Sequence, residues 1–92
     1  MKQRIPAVVP TPGEIISDEL DARGWTQTHL ARLMGRPVQV VNEIIHARKQ
    51  ITPETAIQLA DALQTSPELW LNLESSYRLW KAQEARATTE MS

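Results

Sequence analysis

Residues 26–46 read TQTHLARLMGRPVQVVNEIIH, and this stretch decides the fold. Its first half contains a capping residue, three apolar residues at helical spacing and a helix-ending glycine, in the order Thr26, Leu30, Leu33, Met34 and Gly35. Pro37 then suits the first turn of a new helix, because proline lacks the N–H group that later helical positions need. The stretch predicts a helix of about two turns, a turn of about three residues and a second short helix, which is the helix-turn-helix pattern.

The second helix of this pair has a polar outer face. Its apolar stripe consists of Val41, Ile44 and Ile45, and the opposite face, at about 100° per residue, carries Gln39, Asn42, Glu43 and His46. In the major groove of B-DNA, glutamine and asparagine can hydrogen-bond to adenine, and glutamate can accept from cytosine. Gln39, Asn42 and Glu43 are therefore candidate base-reading residues. The alternative is an ordinary solvated helix face. Glu43 supports this alternative, because phosphates repel a carboxylate unless it pairs with a cytosine amine or a nearby arginine.

The net charge of −1 conceals a gradient along the chain. Residues 1–52 have a balance of +2, with seven basic and five acidic residues, whereas residues 53–92 have a balance of −3, with three and six. The candidate phosphate-binding residues surround the helix-turn-helix, and they are Thr26, Gln27, Arg32, Arg36, Arg48 and Lys49. The gradient is compatible with one half that faces an anion and one that faces a partner, and also with uneven surface charge in a small protein.

Length and composition indicate a single domain. The 92 residues, of which 41% are hydrophobic, suffice for one modest core. No apolar run approaches the roughly 20 residues of a membrane span or the about 7–15 of a signal peptide, so we expect a cytoplasmic protein without a membrane partner. We expect an extended arm at residues 1–10, one domain at residues 11–86 with the helix-turn-helix at about 26–46, and a frayed polar tail at residues 87–92.

Further helix-start signals occur on both sides of the deciding stretch. A cap-then-proline pattern begins three more helices, at Thr11-Pro12, Thr52-Pro53 and Ser66-Pro67. Glu14 adds a capping box to the first of these, and the last helix extends to about Arg86. No segment shows strand alternation bounded by turn residues. The sequence therefore predicts an all-α domain of about five helices.

Apolar residues occupy more than one face of the last helix. One arc of about 100°, most simply the face that packs on the core, carries Leu69, Trp70, Leu73, Tyr77 and Trp80. Leu71 and Leu79 lie outside that arc, and a second apolar face on a terminal helix requires burial elsewhere. We therefore expect a homodimer with Leu71, Leu79 and Trp80 at its interface. A two-fold dimer places two reading helices about 34 Å apart, which is one turn of DNA.

An enzyme has little support in the residues. The two histidines, His29 and His46, lie on different short helices, and the chain has no cysteine. No Gly-rich phosphate loop, nucleophile elbow or metal-ligand spacing accompanies them. We expect no catalytic residues, no metal, no cofactor and no small-molecule substrate.

Four blocks of the sequence resemble a known family. Residues 26–35 resemble the first half of the phage repressor/Cro class of helix-turn-helix domains, the XRE family. Together with residues 12–16 (PGEII), 51–56 (ITPETA) and 66–73 (SPELWLNL), the set is similar to the HigA (VapI-like) antitoxins of toxin–antitoxin and plasmid-maintenance modules. The resemblance covers roughly residues 11–84, most of the chain.

The resemblance implies a lambda-repressor-like homodimer. Members of this kind bind a palindromic DNA operator in their own promoter and neutralise a HigB-type ribonuclease toxin. The family's base-reading positions fall on Val38, Gln39 and Glu43, with Asn42 beside them, and its phosphate-contacting glutamine falls on Gln27. For the toxin, the arm, the tail and the acidic second half are candidate contacts, since acidic surface steers a basic protein; Glu74 and Glu84 belong to that half.

The sequence departs from the family pattern at two positions. Pro37 stands where a serine or threonine is usual, so a side-chain cap and a hydroxyl contact to phosphate are lost. Val38 offers only apolar contact, for example with a thymine methyl group. Two alternatives stay open: a stand-alone regulator of the XRE type without a toxin, and an all-α adaptor that binds proteins and no longer binds DNA.

Overall fold

The computed structural model describes residues 9–91, which contain five helices and no strand. In chain order the helices are α1 (Pro12–Arg23), α2 (Gln27–Met34), α3 (Val38–Ile45), α4 (Pro53–Leu63) and α5 (Pro67–Met91). The all-α fold of five helices is confirmed, with the helix-turn-helix at α2 and α3. Residues 1–8, most of the expected N-terminal arm, and residue 92 lie outside the described residues.

Side-chain caps begin four of these helices at the positions that the sequence predicts. In each, a hydroxyl oxygen accepts a hydrogen bond from the backbone N–H group three residues later, and the capping residues are Thr11, Thr26, Thr52 and Ser66. Glu14 completes the capping box of α1 by accepting from the Thr11 N–H at 3.1 Å. Pro37 precedes α3 without a side-chain hydrogen bond, in agreement with the lost cap.

The core is built from the inward faces of all five helices. Trp70 of α5 is fully buried and donates its indole N–H to Thr65 Oγ1 at 2.8 Å, so its polar edge is satisfied. The apolar face of α4 is buried in full, and it consists of Ala56, Leu59, Ala60 and Leu63. Leu33, which shares the helical spacing of Leu30 and Met34, is exposed, because α2 packs on α3 and α4 through Leu30, Ala31 and Met34.

Gly13 allows α1 to approach the end of α3 very closely. A Cβ atom on Gly13 would lie 2.2 Å from the carbonyl oxygen of Ile45 and 2.7 Å from that of Ile44, which are backbone atoms that cannot rotate away. The absence of a side chain at this position therefore sets how α3 sits on the domain. The sequence alone does not indicate this role of Gly13.

The last helix is longer than expected. α5 continues to Met91, so residues 87–91 are helical where we expected a helix end near Arg86 and a frayed tail. The sequence contains no proline or glycine after Pro67, and nothing therefore interrupts the helix. Within the described residues, no helix combines the length and the apolar character that a membrane span requires.

Candidate nucleic-acid interface

The two helices of the motif are joined by residues 35–37, the turn of three residues that the sequence predicts. Gly35 adopts φ 70°, and its N–H bonds to the carbonyl oxygens of Ala31 and Arg32, which closes α2. A left-handed conformation of this kind suits glycine, since a Cβ atom would strain the backbone. Pro37 then begins α3 in an extended conformation, with φ −61° and ψ 146°. The turn thus sets the direction of α3 relative to α2.

One surface concavity unites the base-reading candidates with two phosphate-binding candidates. Its lining consists of Gln27, Val38, Gln39, Asn42, Glu43 and Arg48. The first of these comes from α2, four come from the outer face of α3 and the last from the segment that follows α3. Candidate residues from separate parts of the sequence therefore border one another. The surface offers hydrogen-bond donors, acceptors and one apolar group, which is the inventory that base edges recognise.

A hydrogen bond between side chains ties α2 to α3 within this concavity. Asn42 Nδ2 donates to Gln27 Oε1 at 3.2 Å. The bond leaves the Gln27 amide group free to donate and the Asn42 amide oxygen free to accept. Asn42 is half-buried, whereas Gln39 and Glu43 are exposed. Gln39 and Glu43 are thus the more accessible side chains, and Asn42 also orients Gln27.

The end of α3 brings Arg48 back to the same surface. The Arg48 N–H bonds to the Glu43 carbonyl oxygen at 2.8 Å, and the Ala47 N–H bonds to that of Ile44 at 3.1 Å. These two bonds form a Schellman motif, in which the first residue after the helix cap takes the left-handed conformation. That residue is Ala47, which has φ 59°. No signal in the sequence points to Ala47, because neither a glycine nor an asparagine marks this helix end. Within the concavity, Arg48 also provides a cation near Glu43.

The other phosphate-binding candidates do not line the concavity. Thr26 uses its hydroxyl group to cap α2, and Arg36 Nη1 donates to Gln58 Oε1 of α4 at 2.9 Å. Arg32 and Lys49 are exposed, the first in the last turn of α2 and the second directly after Arg48. The structure thus gives Thr26 and Arg36 partners within the domain and leaves Arg32 and Lys49 at the surface.

The dimer candidates on α5 differ in exposure. Leu79 is 60% exposed, more than any other large hydrophobic residue of the described chain. Leu71 is partly buried and packs against the core, so part of its surface is already covered within a single chain. Trp80 is half-buried and stacks on Tyr77 with 6.2 Å between ring centroids. Among the toxin candidates, Glu74 is 8% exposed, so the expectation that it forms part of an acidic contact surface is wrong.

Comparison with known proteins identifies the family of this chain. A family model described as "Helix-turn-helix" matches residues 16–70, which include the turn and all of α2, α3 and α4. The chain belongs to the XRE-type helix-turn-helix family. The matched range contains every residue that lines the concavity.

Structural neighbours of the chain include HigA-family antitoxins. A putative antidote protein of a plasmid maintenance system from Nostoc punctiforme is 33% identical, with a TM-score of 0.89 over 92% of this chain and 93% of that one. The Pseudomonas aeruginosa antitoxin HigA, solved with the higBA promoter, is 33% identical, with a TM-score of 0.81 over 88% and 89%. Antitoxin HigA-1 of Vibrio cholerae is 38% identical over 69 residues, which are 74% of this chain and 65% of that protein.

Proposed function

We propose that this protein is a HigA-type antitoxin and autorepressor. It binds a palindromic operator upstream of its own gene as a homodimer and neutralises a HigB-type ribonuclease toxin. The observation that carries the DNA-binding part is the concavity, which joins the outer face of α3 to Gln27 and Arg48. A neighbour of the same fold has been solved with promoter DNA, which supports DNA binding by this fold.

In the proposed complex α3 lies in the major groove, and its exposed side chains read the bases. Gln39 hydrogen-bonds to adenine, Glu43 accepts from cytosine and Val38 contacts a thymine methyl group. Gln27, oriented by Asn42, donates to a phosphate oxygen next to the groove. Arg48 reduces the repulsion between Glu43 and the DNA, because it places a cation in the same concavity.

The antitoxin part of the proposal rests on the neighbours and on charge. Residues 53–92 have a balance of −3, and they include the exposed carboxylates Glu54, Asp61 and Glu68. Acidic surface of this kind attracts a basic partner such as a nucleic-acid-cleaving toxin. Binding to the toxin and binding to DNA therefore use oppositely charged parts of the same small domain.

A gel-shift titration with the DNA upstream of the gene, in a series of salt concentrations and with random DNA as competitor, tests the DNA-binding part. We expect preference for the upstream DNA and an affinity that falls steeply with salt, because phosphate contacts release counterions. Equal binding to random DNA would contradict sequence reading and favour the adaptor. Co-expression with a small basic protein encoded beside this gene tests the antitoxin part: rescue of growth supports it, and the absence of any effect favours a stand-alone regulator.

A further inference from the structure

The segment between α3 and α4 is fixed at both of its ends. At its start, the Schellman motif around Ala47 ties the Arg48 N–H to Glu43. At its end, the N–H of Ile51, a buried residue, donates to Glu74 Oε1 of α5 at 3.2 Å. Between these two points lie Arg48 and Lys49, two of the candidate phosphate-binding residues. The backbone that carries both cations is thus bonded at its far end to a carboxylate that lies 23 residues beyond Ile51 along the chain.

The Glu74 carboxylate is buried, which is unfavourable for a charged group. Its other oxygen, Oε2, accepts from Arg78 Nε at 2.5 Å, and the Arg78 side chain is 34% exposed against 11% for that of Glu74. Burying a carboxylate is unfavourable unless hydrogen bonds compensate it. A partly solvated ion pair four residues apart on one helix contributes little by itself. The hydrogen bond from the Ile51 N–H is therefore the main interaction that compensates the burial of the Glu74 carboxylate.

We propose that Glu74 is a positioning residue for DNA binding, which holds residues 48–51 so that Arg48 and Lys49 face the phosphates before DNA arrives. This inference rests on the DNA-binding part of the proposed function. An ordered segment loses less conformational entropy on binding than a mobile one, and preordering therefore raises affinity. Glu74 acts through the backbone and does not itself contact DNA.

Two substitutions of similar size and equal charge separate the acceptor oxygen from the charge. Glu74→Gln retains an oxygen that can accept from the Ile51 N–H, whereas Glu74→Met has none and leaves that N–H without its acceptor. Both remove one negative charge, so general attraction to DNA changes equally. We expect Glu74→Met to lower the affinity for the upstream DNA about three- to tenfold relative to Glu74→Gln, and amide exchange of Ile51 to accelerate only in Glu74→Met.

The same pair of substitutions in an Arg48→Ala, Lys49→Ala background distinguishes positioning from general destabilisation. If Glu74 acts through these two cations, the difference in DNA affinity between Glu74→Met and Glu74→Gln disappears when both cations are absent, as a thermodynamic cycle measures. A difference that persists in this background would overturn the inference. Equal DNA affinities of Glu74→Met and Glu74→Gln in the otherwise native chain, with native binding intact, would overturn it as well. Failure of the native protein to prefer its upstream DNA would instead overturn the proposed function, and the inference with it.

Discussion

Gln39 and Arg48 line the same concavity, but they carry different chemistry. An exposed amide on α3 distinguishes base pairs, whereas a guanidinium group is attracted to any phosphate. We expect Gln39→Ala to weaken binding to the upstream DNA by about 1–3 kcal/mol and to leave random DNA nearly unaffected. Arg48→Ala should weaken binding to both DNAs and reduce the slope of log affinity against log salt by about one.

Fluorescence anisotropy with the two DNAs, at several salt concentrations, measures both effects. Arg86→Ala is the matched control for Arg48, because Arg86 is an exposed arginine of α5 outside the concavity. If Gln39→Ala and Arg48→Ala have the same profile on both DNAs, the division of roles between them is wrong.

Ala47 occupies a backbone conformation that favours glycine. Its φ of 59° costs an L-residue roughly 1–2 kcal/mol, because the Cβ atom crowds the following carbonyl oxygen. We expect Ala47→Gly to raise the free energy of unfolding by about 0.5–1 kcal/mol, after allowance for the greater freedom of glycine in the unfolded chain. Urea denaturation followed by circular dichroism measures the change. The same substitution at Ala82, in the middle of α5, should lower stability by about 0.5–1 kcal/mol; a decrease at both positions would contradict this account.

The contact between α1 and α3 places the reading helix on the domain. Ala is a better helix former than Gly by about 1 kcal/mol, but a Cβ atom at Gly13 would meet the backbone of Ile45 at 2.2 Å. Overpacking against backbone costs about 1–3 kcal/mol or more, so steric conflict decides the sign. We expect Gly13→Ala to lower the free energy of unfolding and, because α3 must shift, to lower preference for the upstream DNA.

Gly24→Ala is the control for this substitution. A Cβ atom at Gly24 meets nothing within 4 Å, and its φ of 68° alone should cost about 1–2 kcal/mol. Thermal denaturation of the two variants, with gel-shift titrations at a temperature where both are folded, measures stability and DNA preference separately. An unchanged preference for the upstream DNA in Gly13→Ala would show that the contact does not position α3.

Interactions within a few residues were predictable from the sequence, and contacts between distant elements were not. The caps at Thr11, Thr26 and Thr52 are local bonds across three residues, and the sequence shows both partners. By contrast, Glu74 looks like an ordinary surface glutamate in the sequence. Its burial follows only from how α5 packs near Ile51. Helical periodicity gives the direction of a side chain on its own helix, and it leaves open which backbone group lies opposite.

The described part of the chain is elongated because its last helix extends beyond the core. The principal extents are 45, 24 and 20 Å, and a helix of 25 residues is about 38 Å long. Trp70 anchors α5 in the core, whereas the side chains of residues 81–87 are all exposed. Leu79 lies where α5 leaves the core, so 60% of its surface stays exposed within the described domain. A second copy of the chain is the partner that we propose for it, since a two-fold dimer also presents two reading helices.

Leu79→Glu tests this dimer, because a two-fold interface contains the substitution twice. Leu79 is largely exposed in the single chain and is buried in the proposed dimer, so each copy loses about 1–2 kcal/mol of burial energy on substitution. The two new carboxylates also repel each other. We expect sedimentation equilibrium to show the affinity between the two copies lowered by about thirtyfold to a thousandfold, as the corresponding loss of about 2–4 kcal/mol implies. Affinity for the full operator should fall in parallel, whereas affinity for a single half-site should not.

Ile57→Glu is the matched control, since Ile57 is 52% exposed on α4 and receives the same charge. Both variants add one negative charge per chain, so a difference between their dimer affinities reflects the position of the charge; equal dimer affinities for the two variants would remove Leu79 from the interface.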